Sequence, residues 1–200
     1  MEALSGNQYS GFQKALAGEQ QRQMYSFDED GHYAAFFGIP SLPKINYASE
    51  LARQTFLDGD SSIIRHWLRF GIDGWRLDVA QMIGAGLGDA QNLELLRRLR
   101  LAARAENPEA YILGERSYDS ELALQGADEA IGTSGGGEDG VMNFHGFGYP
   151  FTEWLSGHRI IGDSQINVPS HELAEILSEA YRVLPTSRAN SGVQNLGLLS

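Results

Sequence analysis

The chain has 200 residues, 42% hydrophobic and 20% charged, with a mean hydropathy of −0.29. That is the composition of a globular domain with a real core, not of a disordered or low-complexity chain. A net charge of −11 repels phosphate backbones and argues against a nucleic-acid partner, and the absence of cysteine excludes a disulfide framework. No apolar run approaches the length of a membrane span, and residues 1–8 lack the basic and apolar regions of a secretory signal. With no cysteine to protect, these features predict a cytoplasmic protein that does not engage membranes.

Residues 1–59 read as a loop-rich segment. Gly31, Gly38, Pro40 and Pro43 punctuate the first 45 residues, and Phe27, Tyr33, Phe36 and Phe37 interleave with polar residues. Residues 60–200 read as alternating strands and helices. Asp60 or Ser61 is the expected cap of a helix with Ile63, Ile64, Trp67 and Leu68 on one face and Arg65 and Arg69 turned outward. Gly71 stands where a helix end needs a left-handed residue. Trp75 to Ala80 reads as a strand. A helix from Asp89 to Glu106 buries Leu95, Leu96, Leu99, Ala102 and Ala103 and stops before Pro108. Tyr111 to Gly114 is the next strand and runs into Glu115.

Further on, Asp119 to Gln125 reads as a short helix and Ile131 to Gly140 as a glycine-rich, mobile loop. Val141 to Phe144 is a third strand, His171 to Arg182 a helix, and Val193 to Leu199 a last strand. Strand–helix–strand alternation of this kind gives an α/β fold with parallel strands: part of a (β/α)₈ barrel or a doubly wound sheet. A complete barrel takes about 250 residues, so a partial barrel is expected.

Asp78 and Glu115 end successive strands, 37 residues apart. Neighbouring parallel strands lie about 4.8 Å apart, so carboxylates at their ends can stand roughly 5–6 Å apart. A separation near 5–5.5 Å is what a retaining glycosidase needs, because its nucleophile touches the anomeric carbon directly. Arg76, two residues before Asp78, faces the same side and would hold Asp78 ionised and oriented. Glu115 would need the reverse, burial beside a negative charge, to carry a proton. Each residue alone has a blander reading, as a strand ion pair or a helix-start glutamate.

The segment Gly71-Ile72-Asp73-Gly74-Trp75-Arg76-Leu77-Asp78-Val79-Ala80 closely resembles the second signature region of the α-amylase superfamily, glycoside hydrolase family 13. Tyr111-Ile112-Leu113-Gly114-Glu115 resembles its third. Ser41-Leu42-Pro43-Lys44-Ile45-Asn46 resembles the additional region in the form typical of neopullulanase, cyclomaltodextrinase and maltodextrin glucosidase. Val141-Met142-Asn143-Phe144, Trp75 and Met82 point to the same branch.

This resemblance implies a (β/α)₈ catalytic domain acting on α-1,4-linked maltodextrins by double displacement. Asp78 would be the nucleophile, Arg76 its aligning partner and Glu115 the acid/base. Gln81 and Met82 would line the leaving-group side of the cleft, with Asn143 beside the substrate. Pro43, Lys44 and Asn46 would be cleft scaffold. Calcium occurs in the family, but this segment offers no ligand set for it, so no metal or cofactor is expected and the expected partner is an α-glucan.

The family's first and fourth signature regions are not found in these 200 residues, and none of His32, His66, His145, His158 and His171 stands beside an aspartate at a strand end. The segment therefore reads as truncated at both ends of the barrel. Hydrolysis by it alone is expected to be weak or absent, because the third carboxylate would contribute roughly 10³-fold to the rate. Two rival readings follow. One is an incomplete fragment that at most binds α-glucan. The other is a metal-dependent barrel enzyme with Asp78, Glu115 and Asn143 as Mg²⁺ ligands, which would want a lysine or histidine base. Lys14 and Lys44, the only lysines, both precede the first clear strand.

Overall fold

The computed structural model describes residues 11–84, 86–115, 137–142, 144–162 and 164–183. The expected helix at Asp119–Gln125, the expected strand at Val193–Leu199 and Asn143 lie outside them. The elements are α1 (Gly11–Leu16), α2 (Glu50–Arg53), α3 (Ile63–Phe70), β1 (Gly74–Leu77), α4 (Asp89–Glu106), β2 (Tyr111–Gly114), β3 (Gly140–Val141), α5 (Tyr149–Ser156) and α6 (Ser170–Val183). Single 3₁₀ turns at Gln20–Met24, Phe36–Gly38 and Ala80–Met82 and π turns at Gln54–Asp58 and Phe144–Gly148 complete the set. The sheet order is β1-β2-β3, with β2 and β3 parallel. The chain divides into two compact units, Met1–Gly74 with Ala80–Ala110, and Trp75–Val79 with Tyr111–Ser200.

In the first unit the loop-rich region holds its shape through isolated bridges, Tyr25 to Ile45, Phe27 to Tyr33 and Ala35 to Pro43. The Tyr33 hydroxyl adds a hydrogen bond to the Pro40 carbonyl at 2.7 Å. Helix α3 starts at Ser62 rather than at Asp60 or Ser61. The Ser62 hydroxyl donates to the Leu57 carbonyl, 3.0 Å away, so the helix start is tied to the preceding turn. Asp60 instead serves Arg69, through its carbonyl at 2.7 Å and its carboxylate at 2.9 Å.

The end of α3 follows the expectation for Gly71. Its φ is 111°, and its N–H reaches the Trp67 and Leu68 carbonyls. Only Ile64 and Leu68 of the expected apolar face are buried; Ile63 and Trp67 lie at the exposed rim. Arg69 is exposed as expected, whereas Arg65 is half-buried. Both grip Glu106 at the end of α4, Arg65 at 2.7 Å and Arg69 at 2.8 Å to each carboxylate oxygen. Helix α4 has the expected bounds, and Leu95, Leu96, Leu99, Ala102 and Ala103 are all buried. Each such leucine contributes about 1.5–3 kcal/mol on burial.

Hydrogen bonds from Arg69 and Arg65 hold the Glu106 carboxyl below its ordinary value of 4.5. The folded state therefore prefers the ionised form. That contribution is complete above the ordinary value and disappears as pH falls through the depressed one. Glu106→Gln should accordingly lower the melting temperature at pH 7. The gap to the parent chain should narrow as pH falls below 4.5, as the parent comes to lose the same charge. A gap that stays constant from pH 7 to pH 3 would show that the clamp does not act through charge.

In the second unit β1 stops at Leu77, short of the expected Ala80. Val79 has φ 42°, a left-handed conformation costly for a β-branched residue, and it breaks the strand. Strand β3 is Gly140–Val141 rather than Val141–Phe144, with Leu113 opposite Gly140 and Gly114 opposite Val141. Residues 137–140 are buried, not a mobile loop; the rest of that stretch lies outside the described residues. The Asp139 N–H donates to the Ile112 carbonyl at 2.8 Å, and its carboxylate accepts from the Ile112 N–H at 3.0 Å. Gly114 is required by close approach: a Cβ there would fall on the carboxylate of fully buried Glu138.

Candidate active site

Three strand ends in the second unit converge on one guanidinium. Arg76, the third residue of β1, donates from Nη1 to Asp78 Oδ1. Its Nη2 lies 2.8 Å from Glu115 Oε2. Its Nε lies 3.5 Å from the Met142 sulfur, one residue past β3. The backbone sets this up. The Glu115 N–H donates to the Leu77 carbonyl and the Met142 N–H to the Gly114 carbonyl, both at 2.9 Å, which brings the three chain ends level. The bend at Val79 then turns its own N–H onto Glu115 Oε2 at 3.2 Å.

Each carboxylate is therefore held by one oxygen. Asp78 is held through Oδ1 and Glu115 through Oε2, while Asp78 Oδ2 and Glu115 Oε1 have no protein partner among the described residues. The Asp78 side chain is 77% exposed and that of Glu115 19% exposed, so a ligand approaching from solvent meets Asp78 first. The position of Arg76 was expected beside Asp78 alone. It also pairs with Glu115, so Glu115 does not face Asp78 as an isolated buried acid: a shared cation stands between them.

The other expected site residues lie in the first unit or outside the described set. Gln81 and Met82 sit on the 3₁₀ turn that follows Val79, both half-buried. Asn92 braces the loop beyond it, accepting from the Gly84 N–H at 3.0 Å and donating to the Leu87 carbonyl at 3.3 Å. Pro43, Lys44 and Asn46 are bound through the backbone: Pro43 bridges Ala35, the Lys44 N–H reaches the Ala34 carbonyl at 3.0 Å and the Asn46 N–H the Met24 carbonyl at 2.9 Å. Partial burial lowers the Lys44 ammonium below its usual range. Tyr149, at the start of α5, was not anticipated. Burial raises its phenol above the usual value, and the charge of Glu115 raises it further.

One group among the described residues could offer three atoms to a metal ion. Asp28, Asp30 and His32 place theirs within 4.8 Å of one another on an exposed hairpin. Asp28 is occupied there by His32, whose N–H donates at 2.8 Å and whose Nδ1 lies 3.2 Å from the carboxylate. Asp78 and Glu115 do not belong to such a group among the described residues; both pair with Arg76 instead.

The model of the family described as "Alpha amylase, catalytic domain" matches residues 9–180. The chain belongs to the alpha-amylase family. This member is similar to a cyclomaltodextrinase of Geobacillus thermopakistaniensis, 36% identical over 96 residues, which is 48% of this chain and 14% of that protein. It is similar to neopullulanase 2 of Thermoactinomyces vulgaris, 30% identical over 133 residues, which is 61% of this chain and 21% of that one. The chain thus aligns with about a fifth or less of the length of these relatives. Both come from the branch that the Ser41–Asn46 segment indicates. A debranching enzyme of Nostoc punctiforme superposes with a TM-score of 0.62 at 25% identity, covering 87% of this chain and 36% of the other. The fold of this family member is accordingly an α/β, partial (β/α)₈ barrel. Among its described residues no helix is long and apolar enough to cross a membrane.

Proposed function

We propose that this family member hydrolyses α-1,4-linked maltodextrins with retention of configuration, Asp78 acting as nucleophile and Glu115 as acid/base. The observation that carries this reading is the shared guanidinium. One arginine paired with both carboxylates keeps them neighbours, which supports a nucleophile and an acid/base that serve the same glycosidic bond. Each carboxylate also keeps one oxygen available for substrate.

In the first step Asp78 Oδ2 attacks the anomeric carbon, the bond to the leaving sugar breaks, and the proton of Glu115 passes from Oε1 to the leaving oxygen. In the second step Glu115 takes a proton from water, the water oxygen bonds to the anomeric carbon, and Asp78 leaves as a carboxylate. Arg76 holds Asp78 in line and balances the negative charge as it passes from Asp78 to Glu115 and back. Gln81, Met82 and Asn143 are assigned to the substrate cleft, and Pro43, Lys44 and Asn46 to its scaffold.

Maltotriose hydrolysis with and without a chelator, run at a protein concentration high enough to register the weak turnover expected of this segment, tests the reading. The products should appear with the α-anomer first and at a rate unchanged by ethylenediaminetetraacetate. Loss of activity on chelation, restored by Mg²⁺, would favour the metal-dependent alternative.

A further inference from the structure

Glycine aside, two of the described residues have a positive φ: Phe37, in the loop-rich region of the first unit, and Val79, just past the end of β1. Val79 has φ 42° and a branched Cβ, for which that region is a genuine outlier. Such a backbone persists only where its surroundings hold it. Here the residues around it are fixed. Leu77 is buried, and its carbonyl accepts from the Glu115 N–H at 2.9 Å; Ala80 is fully buried. The bend between them aims the Val79 N–H at Glu115 Oε2, 3.2 Å away.

That contact bears on which oxygen of Glu115 carries a proton. Oε2 faces two N–H donors, the Val79 peptide and Arg76 Nη2 at 2.8 Å. Neither can accept a hydrogen bond in return, so a proton on Oε2 would be set against both. Oε1 has no protein partner among the described residues. We propose that the Val79 peptide N–H is a positioning group for proton delivery: with Arg76 it occupies Oε2 and so fixes the acid proton on Oε1, the oxygen open to the leaving sugar. This rests on the catalytic reading of Glu115 above.

A carboxylic acid free to protonate on either oxygen must find the right one before it can deliver. Two donors already in place remove that search. A peptide N–H suits the task because it cannot swing away as a side-chain donor can, and the fixed left-handed bend keeps it aimed. As the proton passes from Oε1 to the glycosidic oxygen and the bond from that oxygen to the anomeric carbon breaks, Glu115 becomes a carboxylate. Oε2 keeps both donors, which then hold the new negative charge.

Replacing Val79 by its α-hydroxy acid tests this. An ester oxygen then stands where the N–H was, and the side chain is unchanged. The ratio kcat/KM is compared for maltotriose, whose leaving sugar needs the proton, and α-maltosyl fluoride, whose fluoride does not, at a protein concentration that registers weak turnover. The maltotriose-to-fluoride ratio of kcat/KM should fall about tenfold in the ester, the scale of one hydrogen bond to a charged group. A purely structural loss would lower both substrates together. An unchanged ratio in the folded ester overturns the proposal. The backbone conformation has its own readout. Val79→Gly should melt a few degrees above Val79→Ala, because glycine alone takes a positive φ without cost. The opposite order overturns the proposal as well. Glu115→Gln on the same two substrates separates the two readings. If it lowers the ratio and the ester does not, the role of Val79 fails alone. If it too leaves the ratio unchanged, the acid/base assignment of Glu115 fails and takes this one with it.

Discussion

Glu115→Gln lowers kcat on maltotriose by about 10²–10⁴-fold, the contribution of a positioned general acid. The amide is nearly isosteric and can still accept from the Val79 N–H, now 3.2 Å from Oε2, so the turn at the end of β1 survives. It cannot deliver a proton. The leaving group therefore decides the size of the loss. With α-maltosyl fluoride, whose fluoride departs without protonation, the first step should be nearly unaffected and the covalent intermediate should accumulate. Added azide, which attacks without a base, should then accelerate turnover and give the α-maltosyl azide. An equal loss on maltotriose and on the fluoride would remove Glu115 from the acid/base role. The pH profile offers a second readout, since the variant should lose the limb that reports the acid.

Arg76→Lys is the second large effect. A conservative replacement of charge is not conservative here, because Arg76 uses Nη1 for Asp78, Nη2 for Glu115 and Nε toward Met142. An ammonium is a point donor and cannot hold the two carboxylates in a fixed fork. kcat/KM should fall by about 10²-fold or more, comparable to the removal of one preorganised electrostatic contact. The side chain is 42% exposed, so stability should change little and the melting temperature should stay within a few degrees of the parent. A lysine variant within twofold of the parent would mean that the shared guanidinium is an ion pair without catalytic consequence.

What the sequence shows of this molecule follows from how local each feature is. Helix α4 has a long run of apolar residues at helical spacing, closed by Asn107-Pro108, and its bounds and buried face are read correctly. β2 is equally plain. Val141-Met142-Asn143-Phe144 is not, since a short apolar run fits a strand or a helix. Here Val141 ends β3 and Phe144 begins the π turn. Gly146, Gly148 and Pro150 conceal α5, because all three read as breakers although a proline in the first turn of a helix is well tolerated. The strand end at Leu77 depends on a left-handed valine, which no propensity anticipates.

The site shows the same division. Arg76, Asp78 and Glu115 are legible from strand ends and the resemblance to the family. The bridge from Arg76 to Glu115 is not, because it depends on the register between β1 and β2. Nor is the influence of the Glu115 charge on Tyr149, since a π turn intervenes between β3 and that residue. The close packing of Gly114 against Glu138 is likewise invisible until the buried 137–140 segment is seen to belong to the sheet.

The most direct test of the central claim is to trap the glycosyl-enzyme with 5-fluoro-α-glucosyl fluoride and locate the label by mass spectrometry of the digested protein. A fluorine beside the ring oxygen disfavours the oxocarbenium-like transition state, while the fluoride leaving group lets the first step proceed, so the intermediate persists. One label per chain on Asp78, absent from Asp78→Asn, is the predicted result. A label on another carboxylate, or turnover with no covalent intermediate and inverted product, would contradict the account.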